Sequence, residues 1–103
     1  MANLETARAA AHAAAYQPLA DTNIDNKLAH KAATAVVDAL LDARTGRGLA
    51  YLRGMRSTVY QMRVLNAMNT TTSSDFTLFF GRMPMYRAIE AAAAELVAAF
   101  GRR

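Results

Sequence analysis

The chain has 103 residues, of which 53% are hydrophobic, with no cysteine and a formal net charge of +4 at neutral pH. This length predicts a single domain, 1–103, with a thin core, and the lack of cysteine excludes disulfides, thiolate zinc sites and thiol nucleophiles. The charge is uneven, because residues 46–103 carry eight arginines against three acidic residues. Such a basic half favours either an acidic partner or a solvated basic surface, and both interpretations stay open here.

Alanine dominates the composition, with 24 copies, and it predicts helices that approach closely while burying little area. The first helix is predicted over residues 3–16, because a residue before proline avoids the helical region and Pro18 follows. The second helix is predicted over residues 24–44, with Asn23 as its N-cap and Gly46 as its C-terminal stop.

A third helix is predicted over residues 48–69, and it has two faces of different chemistry. One face repeats large apolar residues at helical spacing, namely Leu49, Leu52, Met55, Val59, Met62 and Leu65. Another face, which we call the arginine row, carries Arg53, Arg56, Tyr60 and Arg63, with Arg47 just before the helix. We expect such a helix to pack on its apolar side and to meet solvent or an anionic partner on the other.

A polar run at 70–75 predicts a loop that ends in capping residues. The following residues, 76–80, are rich in phenylalanine and fit either a strand or a short helix; the capping residues favour a helical turn near 75–82. Pro84 then predicts the start of a last helix over 84–100. The expected fold is all-α, a small bundle of four main helices and one short turn.

Sequence motifs for catalysis are missing from this chain. His12 and His30 lie on different predicted helices, and neither has a carboxylate three or four residues away. Asp38 and Asp42 share a helix face, which a solvated surface explains better than a metal site. No serine stands in a Gly-x-Ser-x-Gly context. We therefore expect no enzyme, no metal, no cofactor and no small-molecule substrate.

The arginine row resembles the electrostatic footprint of nucleic-acid binding, because guanidinium groups match phosphate geometry and tyrosines accompany them. The alternative is internal: the same arginines would pair with Asp38 and Asp42 of the antiparallel second helix, or with acids of another subunit. The expected contacts to an anionic partner or nucleic acid are Arg47, Arg53, Arg56, Tyr60 and Arg63.

A second candidate region holds six large apolar residues within ten positions, 76–85. Aromatic residues and methionine are enriched at partner surfaces, although a small domain would also bury them. The expected apolar partner surface is Phe76, Phe79, Phe80, Met83 and Met85.

The sequence thus predicts a non-enzymatic helical interaction or assembly module, homo-oligomeric or part of a larger complex. A small structural, adaptor or inhibitor protein of a phage or mobile element fits this description. A nucleic-acid-binding protein is the alternative. With no signal peptide pattern and no long apolar run, we expect no membrane partner and a cytoplasmic location, or a virion for a viral protein.

Overall fold

The computed structural model describes residues 4–72 and 75–101, without the side chains of residues 43–47. This part of the chain contains helices and no strand. Its elements are α1 (Leu4–Ala20), α2 (Asn26–Arg47), α3 (Leu49–Arg53), a 3-10 turn (Gly54–Arg56), α4 (Thr58–Thr72), α5 (Phe76–Phe80) and α6 (Arg82–Phe100). The prediction of an all-α fold that forms a small bundle is confirmed.

Helix α6 is the centre of the bundle, because α1, α2, α3, α4 and α5 all pack against it. The most extensive helix contact joins α1 to α6. Larger side chains of α6 and of the other elements fill the rest of the core; the biggest fully buried ones include Leu40, Leu52, Met55, Met68, Phe76, Met85, Ile89 and Leu96.

The buried faces of α1 and α6, the two helices in most extensive contact, are rich in alanine. Ala7, Ala11 and Ala15 recur every fourth residue of α1 and are buried. Ala88, Ala92 and Ala93 of α6 are buried too. Because alanine projects only a methyl group, two such faces allow the helix axes to approach closely. This agrees with the expectation that an alanine-rich chain packs its helices tightly.

Helix α1 is longer than the predicted 3–16, because it continues through Pro18. The proline lies in the last turn, where its missing N–H removes one hydrogen bond and little helix has to follow. Leu19 is fully buried and holds that turn against the core. Residue 3, the predicted start, lies outside the described residues.

Helix α2 is displaced from the predicted 24–44 at both ends. Asn23, the predicted N-cap, has a φ of 57° and belongs to the preceding turn. Asp25 caps the helix instead, since its Oδ1 accepts a hydrogen bond of 3.1 Å from a backbone N–H three residues on. The helix then runs to Arg47 and ends at Gly48, whose φ of 79° and ψ of −173° suit glycine alone.

The prediction of one helix over 48–69 is wrong, because the chain divides there into α3, the 3-10 turn and α4. Ser57 has an extended conformation between the turn and α4. The ring of Tyr60 occupies the space beside Gly54, where an added Cβ would lie 2.6 Å from a ring carbon. Met55 lies in the core at 1% exposure. Packing on both sides therefore favours a break that the helical spacing does not reveal.

The short helix predicted near 75–82 is α5, so the helical interpretation of 76–80 is confirmed. Asp75 caps it by accepting a 3.1 Å hydrogen bond from the Thr77 backbone N–H. Helix α6 begins before the predicted 84, and Pro84 lies in its first turn, where backbone N–H groups have no helical partner anyway.

No helix in the described ranges combines the length and the apolar character that crossing a lipid bilayer requires.

Candidate interaction surfaces

The arginine row is not one helix face, because its members lie on three elements. Arg53 ends α3, Arg56 ends the 3-10 turn, and Tyr60 and Arg63 belong to α4. The backbone of Arg47 forms the last residue of α2, and its side chain lies outside the described part of the chain. The prediction of a continuous row is therefore wrong, since the 3-10 turn and the extended Ser57 divide its members among separate elements.

Arg53 and Arg56 line a groove of about 360 Å³ between α3, the 3-10 turn and α6. Its apolar wall includes Leu52 and Met55, and Glu90 of α6 also lines it. The Arg53 guanidinium lies at the C-terminal end of α6, near Gly101, where an added Cβ would lie 3.2 Å from one of its nitrogens. A cation favours this end of a helix, because the last carbonyl groups carry partial negative charge.

Tyr60 and Arg63 form a separate aromatic and basic cluster with Tyr51. The rings of Tyr51 and Tyr60 have centroids 5.1 Å apart and planes tilted by 56°. The Arg63 Cζ lies 5.9 Å from the centroid of the Tyr60 ring, at the outer limit of a cation–π contact. Tyr60 thus anchors this cluster, and its ring packs on Gly54.

The internal pairing predicted for the arginines is not observed. Asp38 pairs with Arg8 of α1 instead. In the described part of the chain, none of Arg53, Arg56 and Arg63 has an ion-pair partner. All three remain exposed.

The predicted apolar surface divides into a buried and an exposed set. Phe76, Phe80 and Met85 are buried, with exposures of 0%, 5% and 0%, so their assignment to a partner surface is wrong. Phe76 and Phe80 are one turn apart on α5 and therefore face the core together. Phe79 and Met83 do lie on the surface, at 51% and 57% exposure.

Leu78 is one of the six large apolar residues at 76–85 but not one of the five expected surface residues, and at 81% it is more exposed than Phe79 or Met83. Together these three residues form what we call the corner surface, at the junction of α5 and α6. Helical spacing in the sequence indicates this surface: if Phe76 and Phe80 of a helix face the core, the positions between them face away from it. Because residues 76–80 fit either a strand or a short helix, the sequence alone does not establish this spacing.

Asp75 and Arg82, which have opposite charges, line one groove between α4, α5 and α6, next to the corner surface. Asp75 precedes α5 and Arg82 begins α6, at equal sequence distances from the Leu78–Phe79 pair. The Oδ1 of Asp75 accepts from the Thr77 N–H and, at 3.4 Å, from the Asn69 side chain. Arg82 is exposed and has no ion-pair partner among the described residues.

A third feature, the polar seam between α1 and α2, is absent from the sequence-based prediction. Arg8, His12 and Tyr16 recur every fourth residue of α1, and they meet a matching row on α2: Asn26, His30, Thr34 and Asp38. The two rows run antiparallel. Arg8 pairs with Asp38, and the Tyr16 hydroxyl donates to the Asn26 Oδ1 at 2.9 Å.

The two histidines are in the middle of this polar seam. His12 Nε2 and His30 Nδ1 are hydrogen-bonded at 3.1 Å, and Thr34 Oγ1 lies 3.5 Å from His12 Nδ1. The Tyr16 ring stacks on His30, with centroids 4.1 Å apart. Partial burial, and then the neighbouring His30, lower the pKa of His12 below its usual 6.5.

The described residues bring together no group of three or more histidine, aspartate or glutamate side chains that would hold a metal ion. Comparisons of this chain with protein-family models, curated proteins and solved structures find no match.

Proposed function

We propose that this chain is a non-enzymatic helical interaction module that associates with a second copy of itself through the corner surface. The observation that carries the proposal is the exposure of Leu78, Phe79 and Met83 at one junction; they are three of the seven exposed large apolar side chains in the described residues, and Leu78 is the most exposed of the seven. Contiguous exposed apolar residues of this size mark sites where another molecule binds. The expected setting, a phage or mobile-element structural, adaptor or inhibitor protein, stays a prediction.

The corner surface is also preorganised, which lowers the entropy cost of binding. Asp75 caps α5, Phe76 and Phe80 fix the helix on the core, and the 82° φ of Gly81 sets the turn into α6. Each large apolar side chain that association removes fully from water contributes about 1.5–3 kcal/mol. Two copies would bury the exposed part of these three side chains twice, a gain that offsets the entropy cost of association.

Charge placement favours a second copy over a different protein. An isologous interface places the same patch of both chains around a two-fold axis, so each contact occurs twice. We place this axis beside α5 so that Asp75 of one chain faces Arg82 of the other, since both side chains border the groove next to that helix. The patch is therefore complementary to itself in charge as well as in apolar character.

The first test is the molar mass of the purified protein across a wide range of concentration, by light scattering after gel filtration. We expect a dimer, and we expect Leu78→Ser with Phe79→Ser to give a monomer with an unchanged circular dichroism spectrum. Ile24→Ser is the matched control: Ile24 is also 51% exposed but lies in the turn between α1 and α2. A wild-type protein that stays monomeric at every concentration contradicts the proposal.

A charge variant tests the two-fold arrangement separately. Arg82→Glu places a second acid opposite Asp75 and should weaken the dimer, on the order of fivefold or more for about 1 kcal/mol of repulsion. Arg87→Glu makes the same change in charge on an exposed residue of α6 and should leave association unchanged. Equal effects of both variants would indicate a general dependence on net charge.

Nucleic-acid binding is the second candidate function, and the observation that favours it is the exposure of Arg53, Arg56 and Arg63 without ion-pair partners in the described residues. Three phosphate contacts predict an affinity that falls with added salt, with a logarithmic slope of about −2 to −3. Fluorescence anisotropy with labelled DNA and RNA measures this. Arg53→Gln with Arg56→Gln should make the slope less steep, and Arg87→Gln should leave it unchanged. An affinity that does not depend on salt concentration excludes this function.

A further inference from the structure

We propose that the polar seam between α1 and α2 is a proton-controlled clamp: His12 and His30 hold the two helices together while at most one imidazole is charged, and a second proton releases them. This device is independent of the corner surface and of the arginines.

The geometry of the pair requires one proton between the two facing ring nitrogens. The two rings are nearly parallel, with 14° between their planes and centroids 5.3 Å apart, and the facing nitrogens are 3.1 Å apart. In such a contact one ring N–H donates to the lone pair of the other ring. When both imidazoles are protonated, both facing nitrogens carry a hydrogen, so the bond is lost and two positive charges repel.

Neighbouring groups do not offset a second positive charge. Thr34 and Tyr16 contact the rings without an acidic group, and Asp38, the acid nearest along the α2 row, pairs with Arg8. The charged residues nearest in sequence on α2 are Lys27 and Lys31, which add positive charge.

The other elements packed against α1 and α2 contribute no partner either. The ionisable residues of α3, the 3-10 turn, α4 and α6 are Tyr51, Arg53, Arg56, Tyr60, Arg63, Arg82, Tyr86, Arg87, Glu90 and Glu95. Within the described residues, the arginines and glutamates of this set form no hydrogen bond or ion pair with either imidazole.

The composition makes it easy to attribute a pH dependence of stability near neutral pH to this pair. The chain has two histidines and no cysteine, and histidine is the side chain whose ordinary pKa falls between about pH 5 and about pH 8. The lowered pKa of His12 means that the unfolded chain takes up its proton first as the pH falls. Stability is therefore complete above pH 6.5 and decreases as the pH falls through the folded-state value.

The test is urea unfolding between about pH 7.5 and about pH 5.5, a range that carboxyl titration barely enters. For the wild type we expect the folding equilibrium constant to decrease with falling pH, on the order of tenfold for each unit by which folding lowers a histidine pKa. His12→Gln with His30→Gln should remove this dependence. Arg8→Gln with Asp38→Asn, one turn away in the same seam, should retain it.

NMR titration of the wild-type imidazoles gives a second readout that needs no variant to fold. We expect one histidine to titrate below 6.5 and amide exchange in α1 to accelerate over the same range, more than exchange in α4. Two independent titrations at 6.5, or an unchanged pH dependence in the double histidine variant, would overturn the proposal.

Discussion

At Gly54 the absence of a side chain positions an aromatic ring. An added Cβ would lie 2.6 and 2.7 Å from two carbons of the Tyr60 ring, so Gly54→Ala must displace that ring and its contacts with Tyr51 and Arg63. We expect the free energy of unfolding to fall by about 1–3 kcal/mol, the usual range for overpacking. Chemical denaturation measures this change.

The control is the same substitution without the ring. In a Tyr60→Ala background, Gly54→Ala should cost nothing or stabilise slightly, because the backbone of Gly54 is already helical (φ −77°, ψ −1°) and alanine prefers that conformation. An equal loss in both backgrounds would mean that the backbone, and not the ring, requires glycine.

Gln61 is a buried polar side chain, 6% exposed, and its Nε2 donates to the Met55 backbone oxygen at 2.6 Å. This bond ties α4 to the 3-10 turn across the break at Ser57. Gln61→Leu keeps the size but leaves the carbonyl without that partner, so we expect a loss of about 1–3 kcal/mol in denaturation experiments. Gln17→Leu, at an exposed glutamine that donates to Asp21, should change stability by less than about 0.5 kcal/mol.

At the scale of single residues, the sequence identified chemistry better than orientation. Phe76, Phe79 and Phe80 were recognisable as large apolar residues in a short segment, but burial depends on helical phase. Because five residues are too few to show a period, the sequence does not establish which of them face inward. The structure resolves this by placing Phe76 and Phe80 in the core and Phe79 outside.

At the scale of helices, the close contact of α1 with α6 depends on side-chain size. Ala11 is fully buried between neighbours, so Ala11→Leu has to push the two helices apart. We expect a loss of about 1–3 kcal/mol, visible as a lower melting temperature. Ala10→Leu is the matched control, because Ala10 is exposed on the same helix. Similar melting temperatures for both variants would contradict tight alanine packing.

The sequence predicted which segments are helical, and it was less accurate about where helices end. Pro18 and Gly46 each predict a local stop, but Leu19 holds α1 on the core past the proline, and α2 passes Gly46. Conversely, the regular spacing across 48–69 concealed the break near Gly54. In each case tertiary packing outweighed local preference, and a single sequence carries no direct signal of that packing.

At the scale of the molecule, the polar seam explains why the candidate sites were only partly predictable. His12 and His30 were visible as residues, and each belongs to a row repeated every fourth position. Their contact, however, depends on the antiparallel register of α1 and α2, which the turn between them sets. That turn includes Asn23 with its positive φ and the Asp25 cap. Small shifts in helix bounds therefore decide which side chains meet.

Whole-molecule cooperativity follows from the same architecture. The buried face of α1 consists of three alanines and Leu19, too little apolar area for the helix to persist once α6 unfolds. Since α6 contacts every other helix, we expect thermal unfolding to be one two-state transition at about pH 7.5. This pH lies above the lowered pKa of His12. Far-UV circular dichroism and tyrosine fluorescence should then give the same melting temperature, because the tyrosines lie on α1, α3, α4 and α6.

Tyr16→Phe removes the fluorescence reporter on α1 and leaves Tyr51, Tyr60 and Tyr86 to report on α3, α4 and α6. If the bundle unfolds as one unit, both proteins keep coincident transitions, and the calorimetric enthalpy equals the van't Hoff enthalpy. A helix signal that falls before the remaining tyrosines respond would instead mean that α1 detaches first. In that case its alanine face would be an exchangeable surface, and the fold without α1 would have to be stable by itself.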